Sequence, residues 1–336
     1  MNSSTGEFMD RPLISGGQWD SKVIGKVMDS LRTGETHYVE VPGHADLRER
    51  IRGYLTSTGI AKGGEVLVTA GIQEARFLTV QVLGKALGKI AFPQVLHPGV
   101  REVLALRDLD HVFLEVGTDQ RMLMPPAALR KLPAGVKVLY VESPSRLTGA
   151  CYEKRELEEI VEFCRKQDVS IILDSGLHAW VAGPCDSSAA GLQIDDSTFM
   201  IGEAWPGSGI DELHIGYILA SEDMVKKIAV QKQVISICTS APSQNAAIAV
   251  SSDYGKRHVQ TVADLKQARF TLESRLKDTG AEIVSSPVVN FIVCKANPAV
   301  QRKLEAAKML YTDSSPFGKP GLIQLPVSEQ SIDALR

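Results

Sequence analysis

"VKVLYVESPSRLTGACYEKRELEEIVEFCRKQDVSIILDSG", residues 136–176, decides how the chain folds. It opens on a nearly continuous apolar run, "VKVLYVESP", the pattern of a strand buried on both faces. In "YEKRELEEIVEFCRKQD" (152–168), Leu157, Ile160, Val161 and Cys164 form one stripe with charge opposite, which predicts an amphipathic helix. A second β-branched run, "VSIILDSG", closes the stretch and leaves Asp174 at its carboxyl end. Strand, helix and strand in succession make a βαβ unit and imply parallel pairing. In such sheets ligands bind beyond the carboxyl ends of the strands, so Asp174 is the first candidate site residue.

The same alternation extends outward. "GEVLVTAG" (64–71), "KIAFPQVL" (89–96) and "DHVFLEVG" (110–117) read as further strands. "ADLRERIRGYLTSTG" (45–59) spaces Leu47, Ile51 and Leu55 by four, and Gly59 suits the helix end. "IQEARFLTVQVLGKAL" (72–87) reads as a helix with Ala75, Leu78 and Leu83 inward. Beyond residue 256 the texture changes to a long amphipathic helix (256–280), a strand-like pair (281–296), a helix (299–311) and a last strand, "GLIQLPV". The expected architecture is α/β. A large domain over residues 38–256 carries a mostly parallel central sheet, and residues 1–37 join 257–336 in a smaller α+β domain.

The chain has 336 residues, 44% hydrophobic and 23% charged, ordinary for a globular protein that buries its own core. A net charge of −3 and a pI near 6.2 disfavour nucleic acid and anionic membranes as partners. Cys151, Cys164, Cys185, Cys238 and Cys294 are scattered, without a C-x-x-C pair, and read as reduced thiols of a cytoplasmic protein. The N-terminus lacks the basic-then-apolar pattern of a signal peptide. No apolar run approaches the roughly 20 residues needed to span a bilayer.

Several motifs, in order, resemble the fold-type I, pyridoxal-phosphate-dependent aminotransferases of class I/II. "VLVTAGIQEARFL" is similar to the family's phosphate-loop strand-turn-helix, and "LHPGVREVLAL" to its Y-P-G-Y turn. "ESPSRLTGACYEKRELEEIVEFCRKQDVSIILDSGLHAWV" resembles its N-P-T-G loop, helix and D-x-x-Y strand. "IGEAWPGSGIDELHIGY" resembles its S-x-S-K to G-L-R-x-G-Y stretch, and "APSQNAAIAV" the helix that follows. The resemblance spans nearly the whole chain.

The departures lie where the family does its chemistry. With Gly216-Tyr217 as the anchor, the family's phosphate arginine falls on His214 and its Schiff-base lysine on Pro206. No lysine or arginine occurs between Lys166 and Lys226, so a shifted register does not restore the amine. Proline forms no Schiff base. The family's phosphate serine falls on Glu203, whose charge repels a phosphate dianion. The asparagine that contacts the cofactor hydroxyl falls on Arg146, the tyrosine of D-x-x-Y on Leu177, the stacking aromatic on His97 and the substrate arginine on Gln324. Two elements survive. Asp174 stands where the family's aspartate keeps the pyridine nitrogen protonated, and the turn Gly71-Ile72-Gln73 opens a helix whose N–H groups suit an anion.

Each candidate carries two readings. Asp174 is a ligand group or a loop cap. Gly71 to Gln73 is an anion seat or a plain βα turn. Arg146 grips an anion, pairs with Asp174 or Glu203, or sits on a surface loop. His214 donates to an anion or is a core histidine. Trp205 stacks on a flat ligand or belongs to the core, and Asp211 and Glu212 form a solvated turn. His178 has no standard metal motif around it, so no metal is expected. The resemblance implies a homodimer, or a heterodimer with a lysine-bearing aminotransferase-like protein. Two functions stay open. One is a non-catalytic, regulatory or structural homologue, a pseudoenzyme. The other is a repurposed transferase or lyase holding pyridoxal or pyridoxamine phosphate non-covalently, or another anionic small molecule. Covalent pyridoxal phosphate is not expected under either.

Overall fold

The computed structural model describes residues 21–34, 38–182, 191–210 and 213–336. The N-terminal residues 1–20, Cys185, Asp211 and Glu212 lie outside them. The large sheet has seven strands: β1 (Glu65–Ala70), β2 (Lys89–Pro93), β3 (His111–Leu114), β4 (Val136–Glu142), β5 (Ser170–Asp174), β6 (Thr198–Glu203) and β7 (Ile215–Ala220). Their order is β1-β7-β6-β5-β4-β2-β3. β7 runs antiparallel to both its neighbours and every other pairing is parallel.

Period-two alternation builds the layers. Leu139, Val141, Ile171, Leu173 and Met200 face one core, with Leu47, Ile51, Leu157 and Ile160 from the covering helices. Val138, Tyr140, Ile172, Phe199 and Ile201 face the other, with Ala75, Leu78 and Leu83. Burial on both faces is why these strands read as continuous apolar runs. The helix Lys154–Lys166 starts in a capping box between Glu153 and Glu156, and its Leu157, Ile160 and Cys164 are buried.

A smaller antiparallel sheet is built from β8 (Ile283–Val284), β9 (Phe291–Lys295), β10 (Thr312–Asp313) and β11 (Leu322–Pro326), in the order β8-β9-β11-β10. It shares a core with Leu265, Leu272 and Leu276 of the long helix Tyr254–Asp278 and with Val300 and Leu304.

Two expectations need correction. The helix Ser21–Thr33, grouped by sequence with the C-terminal lobe, packs on Ala241–Ser251 instead. Val23 enters the core of the large sheet, and the Asn245 side-chain amide donates to Ser30 Oγ at 2.7 Å. Val23 and Val27 pack there, whereas Ile24, Met28 and Leu31 stay exposed. The reading of all cysteines as free thiols also fails, because Cys151 is disulfide-bonded; Cys164, Cys238 and Cys294 are free.

Candidate functional site

Three adjacent strands end in carboxylates: β4 in Glu142, β5 in Asp174 and β6 in Glu203. Glu142 and Asp174 are register partners. The nearest cations are Arg76, from the helix Gly71–Leu87, and Arg146, from the loop after β4. Arg76 Nε donates to Asp174 Oδ2 at 2.7 Å, and the Tyr140 hydroxyl donates to the same oxygen at 2.6 Å. The Gly176 N–H donates to Oδ1 at 3.0 Å. The Arg76 and Asp174 side chains are 1% and 0% exposed.

Burial pushes the Asp174 pKa up, but the Arg76 charge and hydrogen bond, aided by Arg146 and Tyr140, carry it down to about 2. Glu142 goes the other way. Burial and the Asp174 charge lift it to about 7, although the His97 and Arg146 amides donate to its oxygens at 2.8 and 3.1 Å. Burial lowers the Arg146 pKa, and the charges of Asp174 and Glu203 oppose that fall.

His97 caps the helix Pro98–Arg107. Its Nδ1 accepts the Gly99 N–H at 3.0 Å, while Arg76 Nη1 lies 3.4 Å from each ring nitrogen. Burial and the Arg76 charge hold its pKa well below the usual range, so the ring is neutral. Arg76 Nη2 is buried and has no hydrogen-bond partner among the described residues.

In front of this cluster opens a cavity of about 410 Å³, lined among others by Gly71, Ile72, Gln73, His97, Trp180, Glu203, Pro206 and His214. Gly71 takes a φ of 74°, and a Cβ there would stand 3.3 Å from the His214 Cβ. The wall segment turns through left-handed conformations at Trp205 (58°), Gly207 (74°), Gly209 (82°) and His214 (47°). The Pro206 carbonyl accepts the Tyr254 hydroxyl at 3.1 Å. Trp205 points into the core and meets Tyr54 and Tyr254 with ring centroids 5.4 and 5.3 Å away. The core reading of Trp205 therefore holds.

The cavity wall thus gathers Gly71, Ile72, Gln73, His97 and His214. Asp174 and Arg146 do not line it; both are buried behind it. Gln324 is also buried, and donates to the carbonyls of Arg146 and Leu147 at 3.0 Å each. Leu177 packs in the core of the smaller sheet. At the start of the Gly71 helix, Glu74 already accepts the Ala70 N–H at 2.6 Å and pairs with the buried Lys232 at 2.8 Å. No group of three or more metal-binding side chains occurs among the described residues, and no described helix is long and apolar enough to cross a membrane.

Arg76, Tyr140, Glu142 and Trp180 were missed by sequence. Arg76 did leave a sign: it shares the buried face of its helix with Ile72, Thr79 and Leu83, where a charge demands a partner. So did Glu142, a carboxylate closing an apolar strand. Trp180 lies in a short turn with no periodicity to mark it.

These residues do not fit a pyridoxal-type cofactor in the manner the resemblance implies. The wall offers a proline in place of an amine, and Glu203 adds negative charge. The Asp174 carboxylate is covered and already accepts three donors.

Fold and site frame together define a class. The family model for aminotransferases of class I and II matches residues 19–330, and the chain belongs to that family. It is 25% identical over 332 residues to a probable aspartate/prephenate aminotransferase of Aquifex aeolicus, covering 91% of this chain and 84% of the relative. To the aspartate aminotransferase of Bacillus subtilis it is 23% identical over 271 residues, covering 79% and 67%. Among solved structures it is similar to a Thermus thermophilus aspartate aminotransferase double mutant, with a TM-score of 0.84, 19% identity and coverage of 94% and 86%. For the aspartate aminotransferase of Thermotoga maritima the values are 0.82, 19%, 95% and 88%.

Proposed function

We propose that this chain is an aminotransferase-family protein that does not perform ordinary transamination, and that it acts as a non-catalytic, dimeric homologue. Its partner is a second copy or a lysine-bearing relative. One observation carries the reading: Pro206 lines the cavity where the family's lysine is expected, and no lysine is among the lining residues. The curated relatives are named for aspartate transamination, and on names alone this chain would be given the same activity. The chemistry of the wall argues otherwise, since the tertiary-amide nitrogen of a proline within the chain cannot condense with an aldehyde.

The second reading, a repurposed pocket, is supported by the cavity itself. A volume of about 410 Å³ is of the size that takes a small ligand. An anionic occupant would meet the Gly71–Gln73 turn and His214. The buried Arg146 would act on it only from behind the wall.

The test is an absorbance scan of the purified full chain with and without pyridoxal phosphate, followed by borohydride reduction and peptide mapping. The expected result is no visible band, no trapped lysine adduct and no amino-group transfer from aspartate or glutamate. A reduced adduct mapped to a single lysine of the chain, or turnover, would refute the reading. Light scattering that gives a monomer at all usable concentrations, with no co-purifying partner, would count against the dimer.

A further inference from the structure

We propose that Arg76 is a built-in substitute for the cofactor's ring cation, so that the site is electrostatically complete without any cofactor. The inference rests on the reading above only in placing Asp174 opposite the cofactor ring. A carboxylate wholly withdrawn from water needs a cation or a proton. Here the chain provides the cation. Arg76 Nε–H approaches Asp174 Oδ2 at 2.7 Å, the contact a protonated ring nitrogen would otherwise make. The remaining capacity of the carboxylate goes to Tyr140 and to the Gly176 N–H.

The approach is roofed as well. A Cβ built on Gly176 would stand 2.4 Å from Ile72 Cδ1 and 3.3 Å from Arg146 Nη1, so side chains fill the space over Asp174. Asp174 is accordingly not on the cavity wall. Arg76 lies on the same helix as the Gly71–Gln73 turn, so one rigid element carries both the cation and the anion-seat geometry. The guanidinium stays charged at every working pH, because the Asp174 charge and hydrogen bond outweigh the cost of its burial. The plug therefore stays in place until Asp174 takes up a proton, at a pH of about 2.

The experiment compares thermal unfolding of three full-length proteins: wild type, Arg76→Ala, and Arg76→Ala with Asp174→Asn. Each is measured alone, with millimolar methylguanidinium, and with millimolar pyridoxamine 5′-phosphate. A molecule that binds only the folded state raises the midpoint. Wild type is expected to be unmoved by either probe. Arg76→Ala is expected to lose several degrees and to regain part of them with both probes. The double variant, with no buried charge to neutralise, is expected to melt above Arg76→Ala and to ignore both. If Arg76→Ala is insoluble, its refolding yield with and without the probes replaces the melt, and restored yield is the supporting result.

Stabilisation of wild type by pyridoxamine 5′-phosphate overturns the inference, even if no lysine adduct ever forms. Rescue of Arg76→Ala by methylguanidinium but not by the pyridine also overturns it, since the seat would then hold a cation but not the ring. A lysine adduct in wild type, by contrast, would overturn the proposed function without deciding the role of Arg76.

Discussion

The stretch 136–176 and the stretch 198–217 both end strands of the large sheet at the same edge, and they have diverged differently. In the first, strand, helix and strand keep the family's frame, and the closing Asp174 remains. In the second, β6 and β7 keep the frame, but the turn between them presents Glu203, Pro206 and His214 to the cavity. The first region kept its charge and acquired an internal partner for it. The second presents no amine among the residues that line the cavity. A fold tolerates the second change easily, because a cavity wall carries little packing. It tolerates the first only with compensation, because a buried carboxylate left alone is among the most costly groups a core can hold.

The comparison breaks first at Asp174. Replacing it by alanine strips Arg76 of its counter-ion and leaves the Tyr140 hydroxyl and the Gly176 N–H without an acceptor. Removing one partner of a buried pair costs about 3–5 kcal/mol, and urea unfolding of Asp174→Ala should show a loss of that order. A loss near that of a surface substitution would mean that water reaches the pair.

The next effect lies in the second stretch and concerns shape. Gly207 has a φ of 74°, and a Cβ there would stand 2.5 Å from the Trp180 Cη2. Backbone strain and an immovable ring act together, so Gly207→Ala should destabilise by about 1–3 kcal/mol. Gly209 has a similar φ of 82° but nothing within 4 Å of its Cβ. Gly209→Ala should carry the strain alone and cost less. Equal losses in the two variants would show that Trp180 yields.

Acidity sharpens the contrast within the first stretch. Asp174 is depressed from 3.8 to about 2, so its contribution is present above pH 3.8 and is lost as pH falls toward 2. Glu142 is raised from 4.5 to about 7, and here the sign reverses. Between those values the unfolded chain releases the proton while the folded chain holds it, so stability declines as pH rises from 4.5 to 7. Glu142→Gln should flatten that decline and leave the acid limb of Asp174 in place. Chemical denaturation across pH 2 to 8 reads both. An unchanged slope between pH 4.5 and 7 in the variant would assign the decline to another group.

Much of the frame was legible because burial on both faces writes itself as apolar runs, and helix faces as spacing of three and four. Leu47, Ile51 and Leu55 were placed correctly for that reason. The helix at 299–311 was read too long: it stops at Ala306, where Lys308 turns left-handed and Met309 rejoins the small core. The site was half legible. The turn at Gly71 and the lack of any lysine or arginine between Lys166 and Lys226 depend on local order, which sequence displays. The Arg76–Asp174 pair joins residues 98 positions apart, and only the register of the sheet brings them together. The seating of Ser21–Thr33 on Ala241–Ser251 failed for the same reason: an amphipathic stripe announces that it will be buried, not against what.

The smallest expected effect tests whether the second stretch alone decides the chemistry. Pro206→Lys returns an amine to the cavity wall, at a residue whose own structural contact is made by its carbonyl, to Tyr254. Pro206 is buried at the wall, so the lysine has to extend into the cavity, and stability should fall by about 1 kcal/mol. The new ammonium would share the wall with Glu203 and be held charged beside it, which removes the free amine that condensation requires. Asp174 would remain covered, with Arg76 across it. The variant should therefore stay colourless with pyridoxal phosphate and transfer no amino group. A visible band from this single change would show that the lysine was all the chain lacked, and that the Arg76 pair opens when a cofactor arrives. If the single variant stays colourless while Pro206→Lys with Arg76→Ala and Glu203→Ser turns coloured, an amine alone does not suffice, and the covered carboxylate blocks the cofactor as much as the proline at the wall does.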